Sequence, residues 1–257
     1  MAMNPTISDW HGKYVWIIGA STGIGAETAR LLLERGATVA LSARRQEVLE
    51  QVANHHPQST VMPLDITDAA SVLASKELIC KQWPHIDLVL IVAGAYNEMR
   101  VDSLDLERVN QLIDINIRGV FNCLHTVLPI MLRRGRGAIG IVSSVAGYSG
   151  LPKALIYGPT KAALINLAES LYLDLQPRGI GVYLINPGFV ETPLTANNDF
   201  PMPALMSPQA AAAEIVRGIE RGEFHIHFPK RFTNWLRLAR LLPYRVYFWL
   251  IHKVTGL

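Results

Sequence analysis

Cysteine is scarce in this chain. Its 257 residues include only two, Cys80 and Cys123, which is too few for a disulfide scaffold or a cysteine-rich zinc site. We therefore expect a reducing compartment, with both thiols packed as small apolar side chains. The N-terminal residues lack a basic segment followed by an apolar run, and nowhere do 18 apolar residues follow one another, so neither export nor a spanning helix is indicated. These features predict a cytoplasmic protein.

Charged residues are also few. They make up 18% of the chain and aromatic residues 8%, whereas 50% of the residues are hydrophobic. This composition excludes disordered, collagen-like and coiled-coil classes, and the length suits one large α/β domain. The net charge of +3 is uneven, because residues 224–257 carry six basic residues and no acidic one. No nucleic-acid-reading motif accompanies them, so we expect no nucleic-acid partner.

Short apolar runs alternate with longer segments of helical period, which is typical of βαβ units that build a doubly wound parallel sheet. Strands are predicted near residues 14–19, 37–42, 60–64, 87–92, 138–142, 180–185 and 224–228. Helices are predicted near residues 23–35, 45–54, 68–82, 105–134, 157–176 and 208–221. The pattern predicts one α/β domain of about seven strands over residues 1–228, followed by a C-terminal helical extension over residues 229–257.

A glycine-rich turn joins the first predicted strand to the first predicted helix, with Gly19, Gly23 and Gly25 in the stretch Gly-Ala-Ser-Thr-Gly-Ile-Gly. Glycines here make a tight turn and, having no Cβ, let backbone N–H groups and the helix N-terminus approach a pyrophosphate. A plain strand-to-helix connection is the alternative, and the position of the turn disfavours it. The turn therefore predicts a nucleotide site.

The GxxxGxG spacing is similar to that of the short-chain dehydrogenase/reductase family, and the resemblance extends over residues 12–222. Its later landmarks follow in the family's order: Asp65, Ala93-Gly94, Asn116, Ser144, Tyr157 with Lys161, and Asn186-Pro187-Gly188. The resemblance implies a Rossmann-like fold, a nicotinamide cofactor, an oxidoreductase that acts on CH–OH groups, and a homodimer or homotetramer.

By this resemblance Tyr157 is the general acid/base, Lys161 lowers its pKa and holds the nicotinamide ribose, and Ser144 hydrogen-bonds the reacting oxygen. Asn116 would hold a water in a proton relay behind Lys161. Tyr157 and Lys161 are four residues apart in a helical pattern and so share one face. Bringing a phenol from a pKa of about 10 to about 7 requires ~4 kcal/mol, for which we expect Lys161 and the positive oxidised nicotinamide to act together. Strand alternation turns the neighbouring Ser143 the opposite way.

NADP(H) is favoured over NAD(H), because the second strand ends in Ala43-Arg44-Arg45 where NAD-binding members of the family carry an acidic residue. Guanidinium groups bind a 2′-phosphate with charge-assisted hydrogen bonds. Two arginines that merely solvate a helix start would leave the choice of cofactor open.

The resemblance assigns further cofactor contacts to the rest of the glycine-rich turn and to the ends of later strands. These residues are Ser21, Thr22, Ile24, Asp65, Ile66, Ala93, Gly94, Asn186, Pro187, Gly188, Val190 and Thr192, together with Tyr157 and Lys161. Asp65 and Ile66 would lie at the adenine, and Thr192 at the nicotinamide carboxamide. We interpret the nearby Asp68 as a helix cap instead.

The chain departs from the family pattern at Ile18, where a threonine often precedes Gly19, and at Ile91-Val92, where two asparagines are usual; both losses remove polar links within the sheet and the cofactor floor. Pro159 inside the Tyr-Lys motif is tolerated if it lies in the first helical turn. The pair His225 and His227 has no carboxylate or cysteine cluster beside it, so we expect alternate positions of a final strand and no metal site.

Residues 189–207 contain three prolines and form an unusually long connection, which we interpret as a lid over the site. In residues 229–257, Pro243 divides two short helices rich in aromatic and basic residues. Such helices suit a membrane interface, but they can equally pack on the domain, cover the cleft or form a subunit interface. The sequence favours packing or self-association.

The sequence thus indicates an NADP(H)-dependent oxidoreductase that interconverts a ketone or aldehyde and an alcohol, on a hydrophobic small-molecule substrate. A catalytically silent nucleotide-binding sensor or scaffold is the first alternative, and a membrane-associated module is the second. The intact Ser144, Tyr157 and Lys161 argue against the silent protein.

Overall fold

Seven parallel strands form a sheet that is covered by helices on both faces in the computed structural model, which describes residues 2–196, 198 and 200–256. The strands are β1 Tyr14–Ile18, β2 Thr38–Ser42, β3 Ser59–Val61, β4 Leu88–Ile91, β5 Gly137–Val142, β6 Ile180–Pro187 and β7 His225–Phe228. The helices are α1 Gly23–Glu34, α2 Gln46–Ala53, α3 Ala69–Gln82, α4 Leu106–Ile113, α5 Gly119–Arg134, α6 Tyr157–Leu175, α7 Pro208–Glu220, α8 Lys230–Ala239 and α9 Tyr244–Thr255.

The strand order is β3-β2-β1-β4-β5-β6-β7, which confirms the predicted Rossmann-like, doubly wound sheet. The order reverses between β1 and β4, and ligands of such sheets bind at this switch point, beyond the carboxyl ends of the strands. The strand β3 is shorter than predicted. Pro63 lies two residues beyond it and has no N–H to donate to a ladder.

Two hydrophobic clusters form the core, one containing Trp16 and Ile18 and the other Val15 and Ile17. These neighbours alternate between the clusters because successive side chains of a strand point to opposite faces. Ile18 pairs in register with Ile91 of β4, and both are buried in the first cluster. Two of the residues that depart from the family pattern, Ile18 and Ile91, are therefore sheet neighbours, which replace polar links with an apolar contact.

The predicted helix at residues 105–134 is continuous but not uniform. A π-helical segment, Asp114–Arg118, separates α4 from α5. Among the described helices, the whole of Leu106–Arg134 is the one that is long and apolar enough to cross a membrane. Part of it is instead buried, because Val120, Leu124 and Val127 belong to the core, as expected for a helix that covers a sheet.

The C-terminal extension forms two helices on either side of Pro243, as predicted. Phe232 and Leu236 of α8 pack against the main core, and Tyr247 and Ile251 of α9 form a small cluster with the end of α8. The inner faces of both helices therefore pack on the domain.

The two thiols differ in their surroundings. Cys123 is buried in the core, whereas Cys80 is exposed on α3. The prediction that both pack as apolar side chains is thus wrong for Cys80, because the apolar repeat of α3 turns Val72 and Ile79, but not Cys80, towards the sheet.

Candidate active site

The glycine-rich turn lies between β1 and α1, at the switch point of the sheet. Gly19 has a φ of +101°, and a Cβ there would lie 2.4 Å from the backbone nitrogen of Ala93. At Gly25 a Cβ would lie 2.1 Å from the carbonyl oxygen of Gly19. The N-cap residue Thr22 makes no side-chain cap hydrogen bond, so the first N–H groups of α1 keep the capacity to bind an anion. The turn thus fits a pyrophosphate.

A cleft of about 820 Å³ extends from this turn along the carboxyl ends of the central strands. It brings together Gly19, Ser21, Thr22, Gly23, Ile24, Gly25, Arg44, Arg45, Asp65, Ile66, Ala93, Gly94, Ser144, Tyr157, Lys161, Pro187, Gly188, Val190 and Thr192. These are all the predicted catalytic and cofactor-binding residues apart from Asn116 and Asn186, which lie outside the lining and are described below. The volume falls within the ordinary range for ligand sites.

One end of the cleft carries Arg44 and Arg45, both exposed, beside Asp65. The Asp65 carboxylate accepts hydrogen bonds from the backbone N–H and the hydroxyl of Thr67, at 2.9 and 2.7 Å. The Thr67 N–H, more than any other group, holds the pKa of Asp65 below its ordinary value. Asp68 caps α3 by accepting a hydrogen bond from the Ala70 N–H, as predicted.

Tyr157 is the first residue of α6, so its side chain stands at the end of the helix that faces the cleft. Burial raises the pKa of the phenol to about 12, and a hydrogen bond with the Ser144 hydroxyl partly opposes this shift. The Tyr96 ring packs edge-on against the Tyr157 ring, with the centroids 5.0 Å apart. Pro159 occupies the first turn of α6, as the sequence required.

Lys161 lies one turn further along α6 and is buried. Its ammonium donates a hydrogen bond to the Val142 carbonyl oxygen at 3.1 Å and lies 5.7 Å from the centroid of the Tyr157 ring. Burial lowers the pKa of Lys161 to about 8. The expected Tyr157 pKa near 7 included the charge of the oxidised nicotinamide, and the protein's own groups shift that pKa in the opposite direction because desolvation is the largest effect. Tyr157 by itself therefore keeps its proton at neutral pH.

The two adjacent serines after β5 have different partners. The Ser143 hydroxyl donates a hydrogen bond to the carbonyl oxygen of Lys161 at 2.7 Å. The Ser144 hydroxyl accepts one from the Ala146 N–H and contacts Tyr157. Ser143 thus fastens β5 to α6, and Ser144 is the hydroxyl beside the phenol.

Asn116 is fully buried in the π-helical segment. Its side-chain oxygen accepts a hydrogen bond from the Ala95 N–H, while its amide donates to the Ala95 carbonyl and to Thr160. A Cβ on Gly94 would lie 3.2 Å from the Lys161 ammonium. Asn116 therefore holds the loop after β4 close to Lys161. Its part in a proton relay stays a prediction.

Sequence reasoning missed a cluster of polar side chains around His225 of β7. The His225 Nε2 atom lies 3.0 Å from the Tyr148 hydroxyl and 2.9 Å from the Asn186 amide nitrogen. Burial lowers the pKa of His225 to about 4, so the ring is neutral at pH 7. The side chain of Asn186, in β6, is thus held in the interior by His225 of the neighbouring strand β7. No sequence signal joins residues 148, 186 and 225, because only the fold brings them together.

The two ends of the long connection after β6 lie side by side, because Val190 forms an isolated β-bridge with Met206. Thr192 reaches the glycine-rich turn, since a Cβ on Gly23 would lie 2.7 Å from its methyl group. Residues 189–207, which we interpret from the sequence as a lid, include residues 197 and 199, and these two lie outside the described part of the chain.

Three phenylalanines gather beside Gly188. The Phe189 ring lies 5.9 Å from the Phe200 ring and 5.7 Å from the Phe232 ring, between centroids. A Cβ on Gly188 would lie 3.1 Å from the Phe232 ring. Phe232 belongs to α8, so the C-terminal extension packs beside Gly188, although the three phenylalanines are not part of the lining of the cleft.

Comparison with known proteins identifies the family. Residues 13–201 match the family model of the short chain dehydrogenases. The chain belongs to the short-chain dehydrogenase/reductase family. This short-chain dehydrogenase is therefore an oxidoreductase of a family that uses a nicotinamide cofactor, acts on small-molecule substrates and is often oligomeric.

Relatives of this short-chain dehydrogenase match it over most of its length. An uncharacterized oxidoreductase of Myxococcus xanthus is 37% identical, over 88% of this chain and 91% of the relative. One from Staphylococcus epidermidis is 31% identical, over 73% of this chain and 82% of its own. A short chain dehydrogenase of Burkholderia cenocepacia, solved in complex with NADP, superposes with a TM-score of 0.83 over 95% of this chain and 98% of its own, at 22% identity. That last similarity shows the fold.

Metal ligation has no support within the described residues, where no group of three or more histidine, cysteine, aspartate and glutamate side chains is arranged around a common point. His225 and His227 occupy alternate positions of β7, as predicted, with their rings 4.7 Å apart. The nearest polar partners of His227 are Thr233 and Arg237.

Proposed function

We propose that this short-chain dehydrogenase is an NADP(H)-dependent enzyme that interconverts a ketone or aldehyde and an alcohol. Three side chains in one cleft support this most strongly: the Tyr157 phenol, the Ser144 hydroxyl bonded to it, and the buried Lys161 ammonium. They lie in the same cleft as a glycine-rich turn that fits a pyrophosphate.

The residues along the cleft suit a dinucleotide. The amides of the glycine-rich turn would bind the pyrophosphate, and Arg44 and Arg45 would bind a 2′-phosphate. Ala43 carries no carboxylate that would repel this phosphate. When bound, the nicotinamide would supply or accept the hydride. The exposed arginines favour NADP(H) over NAD(H).

The proton at the substrate oxygen would come from Tyr157. With a pKa of about 12, the phenol is protonated at neutral pH, so in the reductive direction it can donate its proton as the carbonyl becomes an alcohol. The Ser144 hydroxyl would bind the same oxygen. Lys161, still largely an ammonium at pH 7 with a pKa of about 8, would stabilise the phenolate left behind. In the oxidative direction the phenolate takes the proton back.

The substrate would be hydrophobic. Phe189, Phe200 and Phe232 form an aromatic group beside Gly188. An apolar substituent that extends from the cleft past Gly188 onto these rings would be buried, which stabilises the complex by ~25 cal/mol per Å². We therefore expect aryl and alkyl ketones or aldehydes to be preferred over polar sugars.

A substrate screen tests the proposal. The enzyme would be mixed with NADPH or NADH and a panel of apolar carbonyl compounds, and oxidation of the reduced cofactor followed by absorbance. Tyr157→Phe should lower kcat at least ~100-fold and still bind NADPH, because it loses only a hydroxyl. Tyr244→Phe, which removes the hydroxyl of an exposed tyrosine on α9, is the matched control and should keep full activity.

Two results would overturn the proposal. One is a Tyr157→Phe enzyme that runs at the rate of the unmodified protein. The other is tight NADPH binding without turnover of any carbonyl compound, which would favour the catalytically silent sensor.

A further inference from the structure

The outer face of the C-terminal extension is apolar and exposed, although its inner face is packed. Leu241, Tyr244 and Trp249 are 79%, 78% and 61% exposed, and Phe248 is also exposed. The rings of Tyr244 and Phe248 stack with their centroids 5.7 Å apart. Large apolar side chains that cluster on a surface mark an interaction site more often than scattered ones do.

Cations accompany these rings. Arg245, Trp249 and Lys253 are spaced four residues apart on α9, so they form one row along the helix. The Lys253 ammonium lies over the Trp249 ring, 5.1 Å from its centroid. We call the outward side chains of Leu241, Tyr244, Arg245, Phe248, Trp249 and Lys253 the C-terminal face.

The charge of this region is of one sign. From residue 229 to the end the sequence has six lysines and arginines and no aspartate or glutamate. An isologous contact between two copies sets the same patch against itself, which would bring Arg245 and Lys253 close to those of the second copy at a cost in free energy. An anionic surface would neutralise them instead. The charge pattern therefore favours a negatively charged partner over a second copy of the chain.

The length of α9 sets how it can meet such a partner. Twelve residues at ~1.5 Å each span about 18 Å, short of the ~30 Å hydrocarbon core of a bilayer. Its inner face is held to the domain by Tyr247, whose hydroxyl donates to the Gly150 carbonyl at 2.7 Å, and by buried Ile251. The helix can thus lie in an interface while its inner side stays packed, with tryptophan and tyrosine at headgroup depth and cations against lipid phosphates.

We propose that the C-terminal face docks the enzyme on the surface of an anionic lipid bilayer. Leu241, Phe248 and Trp249 enter the headgroup boundary, and Arg245 and Lys253 bind the acidic headgroups. The docking goes beyond the proposed oxidoreductase activity and does not depend on it.

A cavity of about 310 Å³ lies between the C-terminal face and the rest of the domain. It lies between α9, through Phe248 and Ile251, and the segment that carries Leu151 and Leu155. That segment joins Ser144 to Tyr157 along the chain. Docking through Phe248 would therefore place this cavity, which adjoins the segment between Ser144 and Tyr157, at the lipid surface.

Co-sedimentation of the full chain with vesicles tests the docking. Vesicles of phosphatidylcholine alone would be compared with equimolar phosphatidylcholine and phosphatidylglycerol. We expect binding to the anionic vesicles, a blue shift of tryptophan emission on binding, and weaker binding as salt is raised, because salt screens surface charges. Arg245→Glu with Lys253→Glu should lower the partition coefficient at least about tenfold, and Trp249→Ser should lower it as well.

Matched controls separate the face from general effects. Arg133→Glu with Arg136→Glu makes the same change of net charge at exposed positions of the opposite end of the sheet, and Leu173→Ser removes an apolar side chain that is 73% exposed on α6. Both should bind vesicles like the unmodified protein. Melting temperature and NADPH binding of each variant report on folding.

Three outcomes would overturn the docking proposal: equal binding to neutral and anionic vesicles, equal losses in the variants and their controls, or no vesicle binding at all. If the full chain self-associates in solution, and Trp249→Ser abolishes this without any lipid binding, the C-terminal face is a subunit interface instead.

Discussion

The Lys161 ammonium donates a hydrogen bond to the Val142 carbonyl oxygen, 3.1 Å away at the end of β5. This bond fixes a buried cation between the central sheet and the Tyr157 ring. Burial lowers the pKa of Lys161 to about 8, which means that keeping the charge costs folding free energy. The charge of Lys161 thus lowers stability, and the catalytic role that we propose for it would account for its presence.

Replacing Lys161 by methionine should therefore separate stability from activity. The free energy of unfolding at pH 7 should stay level or rise, because a desolvated cation is lost and its volume is kept. The kcat should fall at least ~100-fold, since the phenolate loses its counter-charge. Urea denaturation and steady-state kinetics measure the two effects. Lys81→Met, on α3 and exposed, is the control, and a loss of stability that parallels the loss of activity would contradict this view of Lys161.

Gly25→Ala tests whether the glycine-rich turn binds the cofactor. Its Cβ would lie 2.1 Å from the backbone oxygen of Gly19, so the turn must shift and NADPH affinity should fall at least about tenfold, equivalent to ~1.4 kcal/mol. Gly150→Ala is the matched control, because nothing lies within 4 Å of its Cβ position. Fluorescence titration with NADPH decides, and an unchanged affinity in Gly25→Ala would exclude the turn from the cofactor site.

Arg44→Ser tests the choice of cofactor. Loss of a charge-assisted hydrogen bond to a 2′-phosphate should weaken NADPH binding about tenfold to a hundredfold, whereas NADH affinity should not change. Competition titrations with both cofactors give the ratio. Arg178→Ser, exposed near the start of β6, should leave both affinities as they are. Equal weakening of NADPH and NADH would show that Arg44 does not select between them.

The buried histidines predict acid sensitivity. Burial, aided by Arg237 and Lys230, lowers the pKa of His225 to about 4 and that of His227 to about 3, from 6.5. Below pH 6.5 these two histidines bind protons in the unfolded chain but stay neutral in the folded chain. The free energy of unfolding therefore falls as the pH drops from 7 to 5.

Urea denaturation at pH 7 and pH 5 measures this fall. In His225→Gln the fall should be smaller by about 1 kcal/mol, because one such group is gone. His125→Gln removes an exposed histidine on α5 and should behave like the unmodified protein. An identical pH dependence in His225→Gln and the unmodified chain would show that His225 is not the group that resists protonation.

The sequence predicted the features that depend on local spacing. The glycine-rich turn, the pairing of Tyr157 with Lys161 on one helix, and the Asp68 cap each arise from residues within one turn or one helix. The order of strands and helices was predictable for the same reason, since each βαβ unit has its own apolar period.

What the sequence did not predict depends on contacts between distant segments. The register that sets Ile18 beside Ile91, and the contact of His225 with Tyr148, join segments that are far apart along the chain. The pKa of Tyr157 is another case, because burial by surrounding segments, and not its neighbour on the helix, decides the direction of the shift. The π-helical insertion around Asn116 also had no counterpart in the apolar pattern.

The hydrogen bond from Tyr247 to the Gly150 carbonyl attaches the last helix to the segment between Ser144 and Tyr157. We therefore expect that proteolytic removal of α9, or a bulky C-terminal fusion that displaces it, would disturb the positions of Ser144 and Tyr157 without changing either residue. Preparations of this enzyme should accordingly be compared only after intact mass has been verified.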